Sequence, residues 1–276
     1  ALRFGFTLVE LLIIILIVAL GLTLLTPVFS RTKPNSKAFQ CFNNLRQLTV
    51  AWAAYAEDNS GSVVYNLGVD GIMSEISKST YRNWANNDLD WTSTSMNTNL
   101  ALLQKGLLSS YVRDNTAVYR CPADTYLSSL QRSLGWSTRA RSYSMNGFFG
   151  PYSTTPDPGT SASGRNQFFP SYRQWLKLTQ VANPTRNWVF IEEHPDSIND
   201  GYFLNAPGQS SFWGDIPASF HNVACTLSFP DGHAETHRWL SPKTSVPVSF
   251  NYSSPTLDPA GRTDYQWLMS RAAVTF

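Results

Sequence analysis

The residue types best suited to chemistry are gathered in one stretch. All four histidines, His194, His221, His233 and His237, lie between positions 194 and 237, with Glu192, Glu193, Asp196, Asp200, Asp215, Asp231 and Glu235 near them. Imidazoles and carboxylates together make a metal-ligand inventory. Spacing weakens a shared ion. If 220–229 and 233–239 are the two arms of a hairpin, His221 and Asp231 stand ten steps apart, up to ~30 Å at ~3.3 Å per residue. His233 and His237 share a strand face but sit ~13 Å apart. No HExxH or CxxC pattern is present. The histidines therefore read as hydrogen-bonded or solvent-facing.

The segment 192–201 holds more. Asp196, Asn199 and Asp200 offer hard oxygen ligands on a loop closed by Gly201, which suits calcium, although the EF-hand spacing is absent. The competing reading is Asx-turn capping, in which these side chains bond their own backbone. Glu193 and His194 have a further option, a buried polar network with His221 or Asp215. Serine-nucleophile catalysis lacks its G-x-S-x-G turn, and no glycine loop resembles a nucleotide cradle. Glu192 and Glu193 are adjacent on an expected strand end, so they point to opposite faces and make a poor acid–base pair.

Composition bounds the scaffold. The chain has 276 residues, enough for a sizeable core. Charged residues are 14% against a typical ~25%, and aromatics reach 13% with 9 Trp, which excludes a disordered chain. A net charge of +2 without a basic run argues against nucleic-acid binding. Three cysteines are too few for a disulfide scaffold.

Several elements emerge from patterning. From Phe6 to Leu25 the only ionisable side chain is Glu10, and twenty helical residues span ~30 Å, a bilayer's hydrocarbon thickness. Segment 36–58 places Ala38, Cys41, Phe42, Leu45, Leu48, Trp52 and Tyr55 on one helical stripe, stopped by Asn59-Ser60-Gly61. Gly21, Pro27 and Pro34 interrupt the stretch between, predicting a kink or unwound segment from Gly21 to Ser36. In the remainder, 187–191 reads as a strand, 99–108 as a short helix and 150–164 as an exposed loop. Residues 220–239 read as a hairpin turning at Pro230-Asp231-Gly232.

Gly5-Phe6-Thr7-Leu8-Val9-Glu10-Leu11-Leu12 resembles the cleavage and methylation motif of type IV pilins and type II secretion pseudopilins. The resemblance implies that prepilin peptidase cuts after Gly5 and leaves Phe6 as an N-methylated terminus. Glu10 would pair with a neighbouring subunit's terminal amine during assembly, and Pro27 falls where many pilins carry a kinking proline. Phe39–Leu48, Arg120–Asp124 and Arg141–Asn146 resemble further segments of the large pilin-like proteins of Verrucomicrobia and Planctomycetes. So does the spacing His221-X9-Asp231-Gly232, a C-terminal element read here as architectural: His221 edges the buried strand face and needs a carboxylate partner, Asp231 bonds its own turn, and Gly232 closes it.

The expected fold is α+β and pilin-like. A long N-terminal helix, kinked or unwound between Gly21 and Ser36, packs on an antiparallel sheet head with large loop insertions. The parts are a leader remnant (1–5), a membrane or filament-core helix (6–27), an amphipathic half (28–60) and a globular head (61–276). The function implied is a structural subunit that inserts in the inner membrane and then polymerises as a homo-oligomeric filament, a pilus or pseudopilus, outside the cell or across the periplasm. Its partners would be copies of itself, prepilin peptidase and the assembly machinery. The rivals are a membrane-anchored metal-dependent enzyme or binding protein using 192–237, and a minor pseudopilin of a type II secretion system. No cofactor is expected other than calcium, which pseudopilins hold in a head loop. Export would permit a Cys41–Cys121 disulfide closing ~80 residues; the alternative is three buried thiols, with Cys225 buried and free in either case.

Overall fold

The computed structural model describes residues 8–15, 36–154, 163–209 and 211–276. Residues 8–15 are helical. The next helix starts afresh at Ser36, whose backbone is extended (φ −69°, ψ 145°) and whose hydroxyl accepts from Phe39 N at 3.2 Å. That is an N-cap, so Lys37–Asp58 begins as its own 22-residue element. The expected long N-terminal helix is not seen: described helix in this region is confined to 8–15 and Lys37–Asp58. Pro27 and the segment expected to kink lie outside the described residues, apart from Ser36. Among the described residues, no helix is long and apolar enough to cross a membrane.

Helix Lys37–Asp58 buries Cys41, Leu45, Leu48, Thr49, Ala51, Trp52 and Ala56 along one face. It ends at Asn59–Gly61, where Gly61 (φ +78°) donates to Ala56 O at 2.7 Å. The apolar face lies on a five-stranded sheet: β1 Tyr143–Asn146, β2 Phe190–Glu192, β3 Tyr202–Phe203, β4 Ala224–Ser228 and β5 Ala234–Arg238. The spatial order is β3-β1-β2-β4-β5. β1–β2, β2–β4 and β4–β5 pair antiparallel, whereas β3 runs parallel to β1. The sheet is therefore mixed, not antiparallel as expected. After β2 the chain passes through 193–201 to the far side of β1, where a two-residue strand completes the edge.

The expected hairpin is present as β4–β5, with Gly232 at φ +89° in its turn. A short helix stands at Leu100–Gln104, capped by Asn99. A C-terminal helix, Pro259–Ala272, is capped by Asp258 and buries Tyr265, Leu268, Met269 and Ala272 beneath Trp188 and Trp213. Apart from two further helices, Val69–Ser77 and Ser129–Ser133, and several 3-10 turns, the described chain between these elements is irregular, and buried asparagines satisfy its backbone. Asn146 Nδ2 donates to Trp188 O and Ala272 O, and Asn66 Nδ2 to Met145 O and Asn146 O. Such amides let loops lie inside without orphaned carbonyls.

Candidate metal centre

The functional candidate forms where the helix crosses the sheet. Cys41 is in the second turn of Lys37–Asp58 and points inward. Cys121 follows the short 3-10 turn Thr116–Tyr119. Glu192 ends β2, and His221 precedes β4. One ligand atom from each, two sulfurs, a carboxylate oxygen and an imidazole nitrogen, lies within 4.8 Å of all the others, so the cluster can hold a metal ion.

Three of the four donors, Glu192, Cys41 and Cys121, are also held from outside the cluster. Glu192 Oε1 accepts from Cys41 Sγ at 2.6 Å and from His221 Nε2 at 2.9 Å; its Oε2 accepts from Thr226 N at 2.6 Å. Tyr143 donates its hydroxyl to Cys41 Sγ at 3.1 Å, and Ala123 N donates to Cys121 Sγ at 3.3 Å. His221 Nε2 also stands 3.4 Å from Cys121 Sγ. A strained turn aims the imidazole: Asn222 and Val223 both have positive φ, +58° and +63°. A β-branched residue rarely adopts that conformation. His221 N closes the turn on Ala224 O at 3.2 Å.

Electrostatics follow from burial and these contacts. Burial pushes the Cys41 thiol above its ordinary range, aided by Cys121 and the Glu192 charge. Burial alone would lower His221, but its contacts with Cys121 and Glu192 outweigh that and hold it up, to about 10. Without metal the site is thus an imidazolium–carboxylate pair flanked by two sulfurs. Cys225 lies alongside, its thiol 3.6 Å from Glu192 O and raised by burial.

The residues singled out in sequence are distributed differently. The Cys41–Cys121 disulfide is not formed; all three cysteines are buried and free. The two sulfurs do meet, but each is engaged by the cluster, Cys41 by Glu192 and Tyr143, Cys121 by His221 and Ala123. His221 and Asp231 are not brought together. Asp231 lies in the β4–β5 turn, its Oδ1 2.5 Å from His233 Nδ1 and 3.2 Å from His233 N, with Gly232 beside it. His194 turns away from His221 to Val246 O at 3.0 Å. Gly5 and Phe6 lie outside the described residues, and Glu10 sits in the helical stretch 8–15.

The loop considered for calcium is occupied by internal bonding. Asp196 accepts from Ser249 N at 2.6 Å, Ser249 Oγ at 2.9 Å and Phe250 N at 2.9 Å. Asp200 accepts from Val69 N and Tyr202 N, at 3.0 and 2.9 Å. Asn199 contributes its backbone carbonyl to Leu89 N and Arg141 Nη2. Among the described residues, the His, Cys, Asp and Glu side chains that converge closely enough for one ion are those of Cys41, Cys121, Glu192 and His221. Glu192 was among the carboxylates expected near His221, but not as a ligand shared with the two cysteines. Strand alternation was its signal: Glu192 turns to the helix, and Glu193 to Ser197 Oγ at 2.8 Å.

No family model, curated protein or solved structure matches the chain.

Proposed function

We propose that the chain is a pilin-like structural subunit, processed between Gly5 and Phe6, held in the inner membrane by its apolar N-terminal segment and then polymerised into an extracellular or periplasm-spanning filament. One observation carries this reading. All seven large apolar side chains between Leu8 and Ile15 are exposed, by 45 to 76%. A contiguous apolar surface of that kind requires lipid or a partner to cover it. The motif of residues 5–12 names the partner as another copy of the same segment. The metal-competent cluster fits a structural role, since Cys41, Cys121 and Glu192 are buried between helix and sheet and the His221 side chain is nearly so. Its two sulfurs also suit a softer ion than calcium.

The test is co-expression of the full chain with prepilin peptidase and a pilus assembly platform. Mass spectrometry of sheared material should give a mature N-terminus at methylated Phe6, and electron microscopy should show fibres containing the chain. Retention of residues 1–5 in a detergent-solubilised monomer under those conditions would overturn the proposal.

A further inference from the structure

The four converging side chains come from four separate elements: a helix, the exit of a 3-10 turn, a strand end and a strained turn. Nothing local forces them together, yet their ligand atoms all fall within 4.8 Å of one another. In a tetrahedral zinc site with bonds of ~2.0–2.3 Å, ligand atoms stand roughly 3.2–3.8 Å apart. The His221 Nε2 contact with Cys121 Sγ, at 3.4 Å, already has that spacing; the hydrogen-bonded contacts of Glu192 Oε1 with His221 Nε2 at 2.9 Å and with Cys41 Sγ at 2.6 Å are shorter and would open as the ion replaces the shared protons. Two thiols, an imidazole and a carboxylate are a borderline-soft set, which selects zinc over calcium or magnesium. The surroundings point the same way. Both sulfurs receive outside donors, from Tyr143 Oη and Ala123 N, and Glu192 Oε2 is fixed by Thr226 N. Donors directed at sulfur stabilise thiolates and orient them, the outer-shell pattern of metal-bound cysteine. Cys41, Cys121 and Glu192 are fully buried, and the His221 side chain is nearly so. A closed site with four protein ligands is structural, because a catalytic one keeps a position open.

We infer that Cys41, Cys121, Glu192 and His221 bind one zinc ion, which fastens the Lys37–Asp58 helix to the sheet. Binding forms two Zn–S bonds, one Zn–N bond and one Zn–O bond. Each thiol gives up its proton on binding, and His221 binds through a neutral ring nitrogen. Two thiolates, one carboxylate and a neutral imidazole around the ion leave the site with a net charge of −1. The inference concerns the helix Lys37–Asp58 and the head it packs on, and is independent of the filament reading.

The experiment uses the full chain in detergent under reducing conditions, stripped with chelator and then reloaded with zinc or cobalt alone. One equivalent of zinc per chain should survive gel filtration and raise the thermal midpoint. Cobalt should give thiolate charge-transfer absorption and the strong visible bands of a tetrahedral site. Cys121→Ser should lose both the retained metal and the charge-transfer band, while Cys225→Ser should keep them. Tyr143→Phe preserves the buried ring and removes only the hydroxyl donor to Cys41, so it should fold and bind zinc about tenfold more weakly. Three results would each overturn the inference: zinc lost from the wild-type chain on gel filtration, a Cys41–Cys121 disulfide in the protein as isolated, or full metal retention by Cys121→Ser.

Discussion

Glu192 Oε1 stands 2.6 Å from Cys41 Sγ, so the end of a strand and the second turn of a helix meet through a carboxylate and a thiol 151 residues apart. The same oxygen is 2.9 Å from His221 Nε2. In metal-free protein this carboxylate is the counter-charge of a nearly buried imidazolium. Removing one partner of such a pair leaves the other uncompensated, at about 3–5 kcal/mol. Glu192→Ala should lose about that much stability in urea unfolding with chelator present, and Glu192→Gln, which is equally uncharged and keeps only a neutral acceptor, should lose most of it. Equal, small losses in both would show that the charge is not needed there.

Asp200 gives a pH dependence. Its carboxyl is raised from 3.8 to about 6 by burial, only partly offset by the Tyr202 and Val69 amides and by Arg141. A carboxyl with a raised folded pKa contributes its full stability below the unfolded pKa. That stability is lost as pH rises through about 6. The span corresponds to roughly 3 kcal/mol. Wild-type protein should therefore lose this stability between the ordinary value of 3.8 and about 6, with the loss nearly complete at neutral pH. Asp200→Asn should reduce that loss by roughly 2–3 kcal/mol. The readout is the urea midpoint at each pH, and an unchanged difference in the variant would exclude Asp200 as its source.

Two glycines with left-handed backbones should respond differently to alanine. Gly232, at φ +89° in the β4–β5 turn, has nothing within 4 Å of a new Cβ, so Gly232→Ala meets only backbone strain, about 1–2 kcal/mol. At Gly150, φ +80°, the new Cβ would lie 2.2 Å from Val64 O. Gly150→Ala must displace backbone and should cost several kcal/mol beyond the strain alone. Thermal midpoints of the two variants, compared directly, should rank them in that order.

For assembly, Glu10→Ala is the informative change. A carboxylate in an apolar helix core is costly unless it docks beside a positive group, which the proposed filament supplies as a neighbour's Phe6 amine. The variant should reach the membrane but give far fewer fibres in sheared fractions. A normal fibre yield would remove Glu10 from the assembly mechanism.

Much of the head was readable because local rules and tertiary packing agree. The stripe Cys41, Leu45, Leu48 and Trp52 is the buried face of Lys37–Asp58, and Pro230-Asp231-Gly232 does turn a hairpin. The metal centre was visible only in halves. Cys41 and Cys121 were paired with each other, and His221 with the carboxylates near 192, by separate arguments. Merging them requires that β2 and β4 be neighbours beneath the helix, a long-range fact with no local signature. The two residues of β3 are too few to show alternation, so the parallel pairing stayed hidden. The C-terminal helix did carry a signal, Tyr265, Leu268, Met269 and Ala272 at helical spacing behind an Asp258-Pro259 cap. The irregular segments carried none, because an asparagine that ties down a carbonyl has no period.

The spread of the cluster along the chain also sets a timetable. Cys41 precedes His221 by 180 residues. At ~5–20 residues per second, a ribosome completes the imidazole roughly 10–40 s after the thiol. During that interval the turns at 110–119 and then β1 and β2 become available to the helix, but β4 and β5 do not. Docking of the Lys37–Asp58 helix can therefore be completed only after the last two strands have joined. Contacts of such long sequence separation also make for slow folding. For this head, time spent waiting with an unshielded thiol is the hazard, and any factor that guards Cys41 in that window would act on yield and leave final stability unchanged.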